Sequence, residues 1–339
     1  MATRDIIVLG ASSGGLEAMN KVIRQLPVDL PAAVFIVWHM APDSPGLLPE
    51  ILSQAGTLPA FHPADFDRIQ SGRIYVATPD HHLLVEPGRV RVTRGPKENR
   101  FRPAVDPLFR SAALAYGSRV VGVILSGNLD DGTAGLLAVK QRGGLAIVQD
   151  PREATYPSMP RSAMEKVEID YCLPVAQIGE TLARLVVEPG AEQGEIPVSE
   201  RMKIETRIAG GDNALAAGIL SLGDPSTFTC PDCHGVLMML QDERVLRFRC
   251  HTGHAFSAST LLEAITESME ADLWSVLRIM DECMMLTRHL GEHLRDNGEP
   301  EKAEPFFQKS KENELRAKFV RRLILSHENL DEDSLRHGD

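Results

Sequence analysis

The sequence predicts an α/β protein with a doubly wound, mainly parallel sheet, followed by a small zinc-knuckle-like unit and a C-terminal helical hairpin. Up to about residue 188, short β-branched apolar runs alternate with amphipathic segments, which is typical of strands joined by crossover helices. Three cysteines cluster within residues 225–257. From residue 260 onwards, apolar residues recur at three- and four-residue steps, as on one face of a helix.

Five apolar runs predict the strands of the sheet: residues 5–9, 33–38, 73–76, 120–125 and 145–149. Amphipathic patterns predict helices between and after these strands, over residues 16–25, 47–54, 107–115, 134–142 and 178–186. Residues 82–92 interrupt this order. Pro87 and Gly88 stand there between two apolar stretches, which predicts an antiparallel hairpin.

The second part of the chain divides by composition. Residues 188–200 hold two prolines, two glycines and four acidic residues without apolar periodicity, which indicates a linker. We therefore predict a large domain over residues 1–190, a linker region over 191–224, a Cys/His unit over 225–257 and a helical hairpin over 258–333.

Two helices are predicted in the hairpin. Thr260 and Glu263 form a candidate capping box at the start of the first helix. The turn at residues 297–300 ends that helix, and a second helix is expected over 302–327. One apolar stripe on the first helix favours a packing or self-association role for the pair: Leu262, Ile265, Met269, Leu273, Val276, Met280 and Cys283.

Composition limits the function. The net charge of −11 would repel a phosphate backbone, so nucleic acid is not an expected partner. The apolar runs are too short to cross a membrane and no export signal is visible. We therefore expect no membrane insertion and a cytoplasmic location. The chain has five cysteines, an odd number that favours thiols or metal ligation over a disulfide framework.

A glycine-rich turn, Gly-Ala-Ser-Ser-Gly-Gly at residues 10–15, follows the first predicted strand. A serine there lies at the carboxyl edge of the sheet, where a helix N-terminus favours negative charge. A phosphate-binding loop and a turn without chemistry have the same features. A P-loop is disfavoured because no Lys-Ser/Thr follows the glycines. A short-chain dehydrogenase is disfavoured because none of the four tyrosines has a lysine four residues later.

Two further strand ends carry polar side chains. His39 follows the second predicted strand, and Asp130 and Asp131 follow the fourth. Imidazole is the side chain best suited to accept a hydroxyl proton near neutral pH. Because parallel strands end at one edge, Ser12, His39 and a carboxylate can act as nucleophile, base and orienting acid. The plainer alternatives are a structural histidine and an aspartate that caps the next helix.

Five segments, in the same order over residues 5–187, carry a resemblance to a known family. They are Ile-Val-Leu-Gly-Ala-Ser-Ser-Gly-Gly at 7–15, Val-Trp-His-Met at 37–40, Pro-Ala-Val-Asp-x-Leu-Phe at 103–109, Ile-Leu-Ser-Gly…Asp-Gly-x-Ala-Gly at 124–135 and Met-Pro-Arg-x-Ala at 159–163. They resemble the catalytic domain of the chemotaxis protein-glutamate methylesterases (CheB). The resemblance implies hydrolysis of glutamyl methyl esters on chemoreceptors or related signalling proteins, with glutamine deamidation as an accompanying reaction. It assigns the nucleophile to Ser12, the base to His39 and the orienting acid to Asp131.

Two departures from the family pattern bear on these expectations. The family's loop reads Gly-Met-Gly-x-Asp-Gly, and here Asn128 and Leu129 replace the methionine and the second glycine. We expect Ser13 and Asn128 beside the oxyanion, and a leucine at a glycine position is expected to reshape the loop. The usual members also carry an N-terminal receiver domain, which this sequence lacks. Regulation by its own phosphorylation is therefore not expected.

The resemblance also suggests how a substrate docks. Arg102 and Arg161 lie in segments that it places near the active-site edge. We predict that they contact the acidic surroundings of a methylated receptor helix, with plain surface charge as the alternative. The alternative function is a non-catalytic regulatory or binding module on the same fold, and the altered loop is the feature in its favour.

Two short motifs predict a metal site. Cys-Pro-Asp-Cys at 230–233 and Cys-His-Thr-Gly-His at 250–254 are separated by sixteen residues. Three thiolates and an imidazole make a tetrahedral set suited to zinc, and the predicted ligands are Cys230, Cys233, Cys250 and His254, with His251 as the alternative histidine. Four protein ligands saturate zinc, so its role is expected to be structural. Catalysis then needs no cofactor, and a fragment ending near residue 190 is expected to keep esterase activity.

Overall fold

The computed structural model describes residues 4–188, 196–240 and 244–326. The chain divides into two compact units, Met1–Leu261 and Leu262–Asp339. Among the described residues, no helix combines the length and apolar character needed to span a membrane.

A seven-stranded parallel sheet forms the centre of the first unit. Between residues 4 and 188 the strands, in chain order, are β1 Ile6–Ala11, β2 Ala33–Trp38, β3 Ala60–Phe61, β4 Arg73–Val76, β5 His82–Glu86, β6 Arg89–Thr93, β7 Val120–Ile124, β8 Leu145–Gln149 and β9 Tyr171–Leu173. The order across the large sheet is β3-β4-β2-β1-β7-β8-β9, with every neighbouring pair parallel. The predicted doubly wound fold is confirmed, and the short strands β3 and β9 are additions to it.

Helices cover both faces of this sheet, as a parallel sheet requires. They are α1 Gly15–Arg24, α2 Leu48–Ala55, α3 Val105–Tyr116, α4 Thr133–Gln141, α5 Ser158–Lys166 and α6 Val175–Leu185. Along β1, Ile7 and Leu9 pack on the face that α1, α2 and α6 cover, and Val8 packs on the face that α3, α4 and α5 cover. This alternation is the two-residue period of a strand.

The strand order reverses beside β1. The chain passes from β1 to β2 on one side, and β7 pairs with β1 on the other side. Ala11 pairs with Trp38, and Gly10 pairs with Ile124. The residues that follow these three strands therefore meet at one sheet edge, at the switch point where open α/β sheets bind their ligands.

The predicted hairpin at residues 82–92 is present as the antiparallel pair of β5 and β6. Pro87 and Gly88 lie between the two strands, and Gly88 has a φ of 76°. A glycine adopts this left-handed conformation without steric cost.

The region predicted as a linker is largely folded. Residues 189–195 lie outside the described residues, but helices form at Glu200–Ala209 (α7) and Ala214–Ala217 (α8). The Ser199 hydroxyl caps α7 by accepting a hydrogen bond from Met202 N at 3.2 Å. Met202 and Ile208 are buried, and α7 packs against α3. The prediction of a linker is therefore wrong from residue 200 onwards, where the chain forms packed helices.

The Cys/His unit is an antiparallel sheet of β10 Gly223–Thr229, β11 Val236–Leu240, β12 Arg247–Cys250 and β13 Ala255–Ser257. It belongs to the same compact unit as the large sheet. Buried ion pairs join the two parts, because Arg249 Nη2 lies 2.9 Å from Glu98 Oε1 and 3.0 Å from Glu205 Oε1. The predicted separation of this unit from the large domain is therefore not found.

The first helix of the C-terminal hairpin, α9, spans Ala258–Asp296. Ser257 Oγ accepts a hydrogen bond from Thr260 N at 3.1 Å, which is N-cap geometry. The predicted capping box of Thr260 and Glu263 is therefore wrong, because Ser257 caps a helix that begins at Ala258.

The second helix, α10, spans Pro300–Leu325. Within this unit the two helices run antiparallel and bury Leu277 against Ala317, Val320 and Ile324. Several members of the predicted apolar stripe, including Met269 and Val276, are exposed. Self-association through these helices stays a prediction, and residues 327–333 of the predicted hairpin lie outside the described part of the chain.

Candidate active site

Ser12 lies in the turn between β1 and α1. Its backbone N–H donates to Ser126 O at 3.0 Å, and its carbonyl accepts from Trp38 Nε1 at 2.8 Å. Gly14, with a φ of 69°, turns the chain into α1, and a Cβ there would lie 2.9 Å from the hydroxyl of Ser126. The turn is thus tied to both neighbouring strands, and it places the serine hydroxyl at the edge of the sheet.

His39 follows β2 and faces this serine. Its Nδ1 lies 3.1 Å from Ser12 Oγ, and its backbone N–H donates to Ala11 O at 3.2 Å. The imidazole stacks on the ring of Phe101, with centroids 3.8 Å apart and planes 11° apart. The ring is therefore held between the serine turn and an aromatic side chain.

Asp131, which follows β7, accepts several hydrogen bonds. Its Oδ2 accepts from His39 Nε2 at 2.7 Å and from Val105 N at 2.7 Å. Its Oδ1 accepts from Asn99 Nδ2 at 2.8 Å and from Asp106 N at 3.2 Å. The structure therefore brings Asp131 to the histidine.

The neighbouring carboxylate, Asp130, has other partners. It accepts a hydrogen bond from Ser257 Oγ at 2.5 Å, and Lys166 Nζ lies 3.6 Å away. The carboxylate of Asp130 therefore contacts the Cys/His unit and α5 rather than the imidazole of His39.

Electrostatic interactions give two neighbouring buried carboxyl groups, those of Asp131 and Asp106, different pKa values. Burial alone would raise the pKa of Asp131, but hydrogen bonds from His39, Val105 N and Asn99 outweigh it and hold the pKa below its usual range. Burial and the charge of Asp131 raise the pKa of Asp106 to about 7. Asp131 is thus ionised near neutral pH, and Asp106 holds its proton more tightly than Asp131 does.

This charge defines the histidine tautomer. An ionised carboxylate only accepts hydrogen bonds, so His39 Nε2 carries the hydrogen that is shared with Asp131. The lone pair on Nδ1 then faces the Ser12 hydroxyl. The arrangement can remove the proton of the serine and stabilise the imidazolium that results.

An open cavity of about 520 Å³ lies above these groups. Ser12, His39, Trp38 and Phe101 belong to its walls. Three basic residues also line it: Lys97, Arg100 and Arg102. A mixed apolar and cationic wall suits a substrate with an uncharged ester in acidic surroundings.

The predicted loop residues lie beside the serine. Ser13 lines the cavity, and Asn128 Nδ2 lies 3.5 Å from Ser13 Oγ. Leu129 has a φ of 61°, the left-handed conformation that a glycine would supply. Leucine adopts this conformation at a cost of about 1–2 kcal/mol. The loop thus keeps a glycine-like backbone in spite of the substitution.

The two arginines predicted to contact a receptor differ in their surroundings. Arg102 lines the cavity, but its guanidinium is engaged by Asp80 Oδ1 at 2.6 Å and by Gly95 O at 2.7 Å. Arg161 lies on α5, is half-buried and does not belong to the cavity wall. The structure therefore brings only Arg102 to the candidate site.

The four predicted metal ligands come together at one end of the Cys/His unit. The donor atoms of Cys230, Cys233, Cys250 and His254 all lie within 4.8 Å of one another. Cys233 Sγ is 3.6 Å from Cys250 Sγ, and His254 Nδ1 is 3.6 Å from Cys250 Sγ. A zinc tetrahedron with Zn–S bonds of about 2.3 Å has edges of about 3.8 Å. The set could hold a tetrahedral metal, and its histidine is His254 rather than His251.

Two side chains that contact the proposed triad, Asn99 and Phe101, were not predicted from the sequence. Both lie in the segment between β6 and α3, where no periodic pattern marks them. The available signal was their position directly ahead of the Pro-Ala-Val-Asp-x-Leu-Phe segment at residues 103–109, which starts α3.

Known proteins resemble the large domain of this chain. The family model described as CheB methylesterase matches residues 7–182. A relative from Leptospira interrogans, named provisionally as a protein-glutamate methylesterase/protein-glutamine glutaminase, is 38% identical over 182 residues, which are 53% of this chain and 94% of the relative. A protein-glutamate methylesterase/protein-glutamine glutaminase from Anaeromyxobacter dehalogenans is 37% identical over 181 residues, 53% of each chain.

A solved structure gives the same result for the fold. The crystal structure of the Thermotoga maritima CheB methylesterase catalytic domain superposes with a TM-score of 0.52 and 35% sequence identity. The superposition covers 54% of this chain and 98% of that domain.

The first part of the chain is therefore a doubly wound α/β domain of the methylesterase class. Residues 7–182 are 176 of the 339 residues, more than half of the chain. The chain belongs to the CheB methylesterase family.

Proposed function

We propose that this chain is a protein-glutamate methylesterase that uses Ser12, His39 and Asp131 as its catalytic triad. The continuous line of hydrogen bonds from Ser12 Oγ through His39 to Asp131, at the switch point of the sheet, carries the proposal. The names of the relatives support the substrate class, which is a glutamyl methyl ester or a glutamine side chain in a protein.

The mechanism follows from the positions of these groups. Ser12 Oγ attacks the ester carbonyl while His39 Nδ1 takes its proton, and Asp131 stabilises the imidazolium. His39 returns the proton to the methoxy oxygen, methanol leaves and an acyl-serine remains. Water then attacks the acyl-serine with His39 as base, which releases the glutamate carboxylate and restores Ser12. A glutamine substrate would follow the same steps and release ammonia.

The oxyanion needs hydrogen-bond donors that are not already used. The backbone N–H of Ser12 donates to Ser126 O, and that of Gly127 donates to Tyr156 O. The N–H of Ser126 donates to Gln149 Oε1. We propose Ser13 and Asn128 as the donors, because Ser13 follows Ser12 directly and Asn128 Nδ2 lies 3.5 Å from Ser13 Oγ.

For substrate docking, we propose that cationic side chains at the site contact acidic residues around the methylated glutamate of a chemoreceptor-like protein. Arg102 lines the cavity with Lys97 and Arg100. Arg161, on α5, is the proposed contact outside it. Opposite charges on the two partners would raise the rate of encounter and select acidic substrates.

We also propose that the Cys/His unit binds a structural zinc ion through Cys230, Cys233, Cys250 and His254. The support is the separation of the donor atoms and the donor set of three thiolates and one imidazole. Thr252 Oγ1 lies 2.9 Å from Cys250 Sγ, which places a hydroxyl donor beside that sulfur. When bound, zinc would tie β10–β11 to β12–β13.

A synthetic peptide with a γ-glutamyl methyl ester tests the esterase against the alternative of a non-catalytic binding module. Mass spectrometry follows conversion of the ester to the acid by the wild-type chain and by Ser12→Ala. We expect multiple turnovers by the wild type and none above the buffer rate by the variant. Binding of the peptide without turnover by the wild type would favour the binding module.

A further inference from the structure

Asn99 is a buried residue with no role in the mechanism above, yet it touches the proposed catalytic acid. Its side-chain nitrogen donates to Asp131 Oδ1 at 2.8 Å and to Asp106 Oδ2 at 2.9 Å. It is 4% exposed, so water cannot easily replace these bonds. Both N–H hydrogens of the Asn99 carboxamide are therefore used in hydrogen bonds to the two carboxyl groups.

The oxygen of the same carboxamide faces the Cys/His unit and the start of α9. Asn99 Oδ1 accepts from Ser257 N at 3.0 Å and from Thr260 Oγ1 at 3.2 Å. The backbone N–H of Asn99 donates to Ala255 O at 2.8 Å. Ser257 and Thr260 are also buried. The orientation of the Asn99 amide is therefore set by residues that follow the metal-ligand motif.

The contact segment is attached directly to the proposed zinc ligands. Ala255 begins β13 immediately after His254, and β13 pairs with β12, whose last residue is Cys250. A second link runs beside the first, since Ser257 Oγ donates to Asp130 Oδ1 at 2.5 Å. The proposed zinc ligands, strand β13 and the Asn99 carboxamide thus form one short connection to the loop that carries Asp131.

We propose that Asn99 is a positioning residue for the catalytic acid and that Ser257 and Thr260 hold it, so that the end of the Cys/His unit and the start of α9 complete the active site. This inference rests on the proposed esterase function. Asn99 fixes the carboxylate plane of Asp131, and Asp131 fixes the His39 imidazole against Ser12. A small loss of this alignment lowers the rate of the chemical step without changing substrate affinity.

The test measures kcat and KM of the full-length chain on the peptide ester. The variants are Asn99→Ala, Thr260→Val and Thr260→Ser. Asn99→Ala is expected to lower kcat by about 10- to 100-fold with little change in KM. Thr260→Val removes one hydrogen bond to the amide and is expected to lower kcat by about three- to tenfold. Thr260→Ser keeps the hydroxyl, so it is expected to keep the wild-type kcat that Thr260→Val loses.

Ser226→Ala is the matched control. It removes a hydroxyl from β10 of the Cys/His unit that bonds to Leu237 O, away from Asn99, and is expected to leave kcat unchanged. If the wild type turns over and kcat is unchanged in both Asn99→Ala and Thr260→Val, this inference is overturned and the proposed function stands. A loss in Thr260→Val that Thr260→Ser does not restore, or that Ser226→Ala shares, would also overturn it. The absence of turnover by the wild type would overturn the proposed function, and this inference with it.

Discussion

The carboxylate of Asp131 lies 2.7 Å from Nε2 of His39, although the two residues are 92 positions apart in the chain. The adjacent carboxylate, Asp130, binds Ser257 instead. Because two neighbouring aspartates have different partners, their substitution separates an orienting role from a general loss of charge at the site.

We predict that Asp131→Asn lowers kcat by at least about a thousandfold, because an amide would stabilise the wrong tautomer of His39. Asp130→Asn is its matched control and is expected to lower kcat by less than about tenfold, through one weakened hydrogen bond to Ser257. Steady-state kinetics on the peptide ester give both values. Equal losses in the two variants would contradict the assignment of the catalytic acid.

A second prediction concerns Glu205, which lies on α7 and is 1% exposed. Burial would raise the pKa of Glu205, but Arg247, Arg110 and Arg249 outweigh burial and hold the pKa well below the ordinary value of 4.5. The carboxylate of Glu205 therefore binds a proton more weakly in the folded state than in the unfolded state. The stabilising contribution is complete above pH 4.5 and is lost as the pH falls through the lower pKa of the folded state.

Glu205→Gln should therefore lower the free energy of unfolding at pH 7 by about 3–5 kcal/mol, because it removes a buried negative charge that faces three arginines. The variant should also lose part of the decrease in stability that the wild type shows below pH 4.5. Urea unfolding at several pH values measures both effects. Glu200→Gln, on the same helix but paired with Lys203 at the surface, should change stability by less than about 0.5 kcal/mol. A similar pH profile for wild type and Glu205→Gln would contradict the argument.

A third prediction concerns the metal. The purified chain should contain about one zinc ion, and Cys230→Ser combined with Cys233→Ser should lose it. His254→Ala should also lose the metal, whereas His251→Ala should retain it, because only His254 joins the ligand cluster. Atomic absorption on the four proteins measures the content. Metal retained in His254→Ala and lost in His251→Ala would show that the wrong histidine was assigned.

The docking proposal gives a fourth prediction. Arg161→Glu should raise KM for a methylated receptor by about three- to tenfold and weaken its salt dependence, with no change on a small uncharged ester. Arg152→Glu is the control, since the side chain of Arg152 is exposed and pairs with Asp150. Unchanged receptor kinetics in Arg161→Glu would remove this residue from the docking surface.

Much of the large domain could be predicted because its signals are local. Apolar runs with polar ends mark β1, β2 and β7. Because these strands are parallel, their carboxyl ends lie at one edge of the sheet. Ser12 and His39 stand directly at such ends. The choice between Asp130 and Asp131 came from the family resemblance, because both follow the same strand and only their tertiary partners distinguish them.

The remainder depends on contacts that no local pattern reveals. Helix α7 falls in the region predicted as a linker, and its buried Glu205 pairs with Arg247 and Arg249 of β12. No local pattern reveals these partners. Asn99 lies in a loop, and its partners are 32 residues away at Asp131 and 158 residues away at Ser257. For the same reason, the expected activity of a fragment ending near residue 190 does not follow from the structure. Such a fragment lacks the segment that holds Asn99.

The most direct measurement is methanol release from receptor membranes that carry labelled methyl groups on their glutamates. We expect the wild-type chain to release labelled methanol over many turnovers. Ser12→Ala, which keeps the fold but lacks the nucleophile, should fall to background, a loss of at least about a thousandfold. Release by Ser12→Ala at a rate close to that of the wild type, or none by the wild type, would contradict a serine methylesterase.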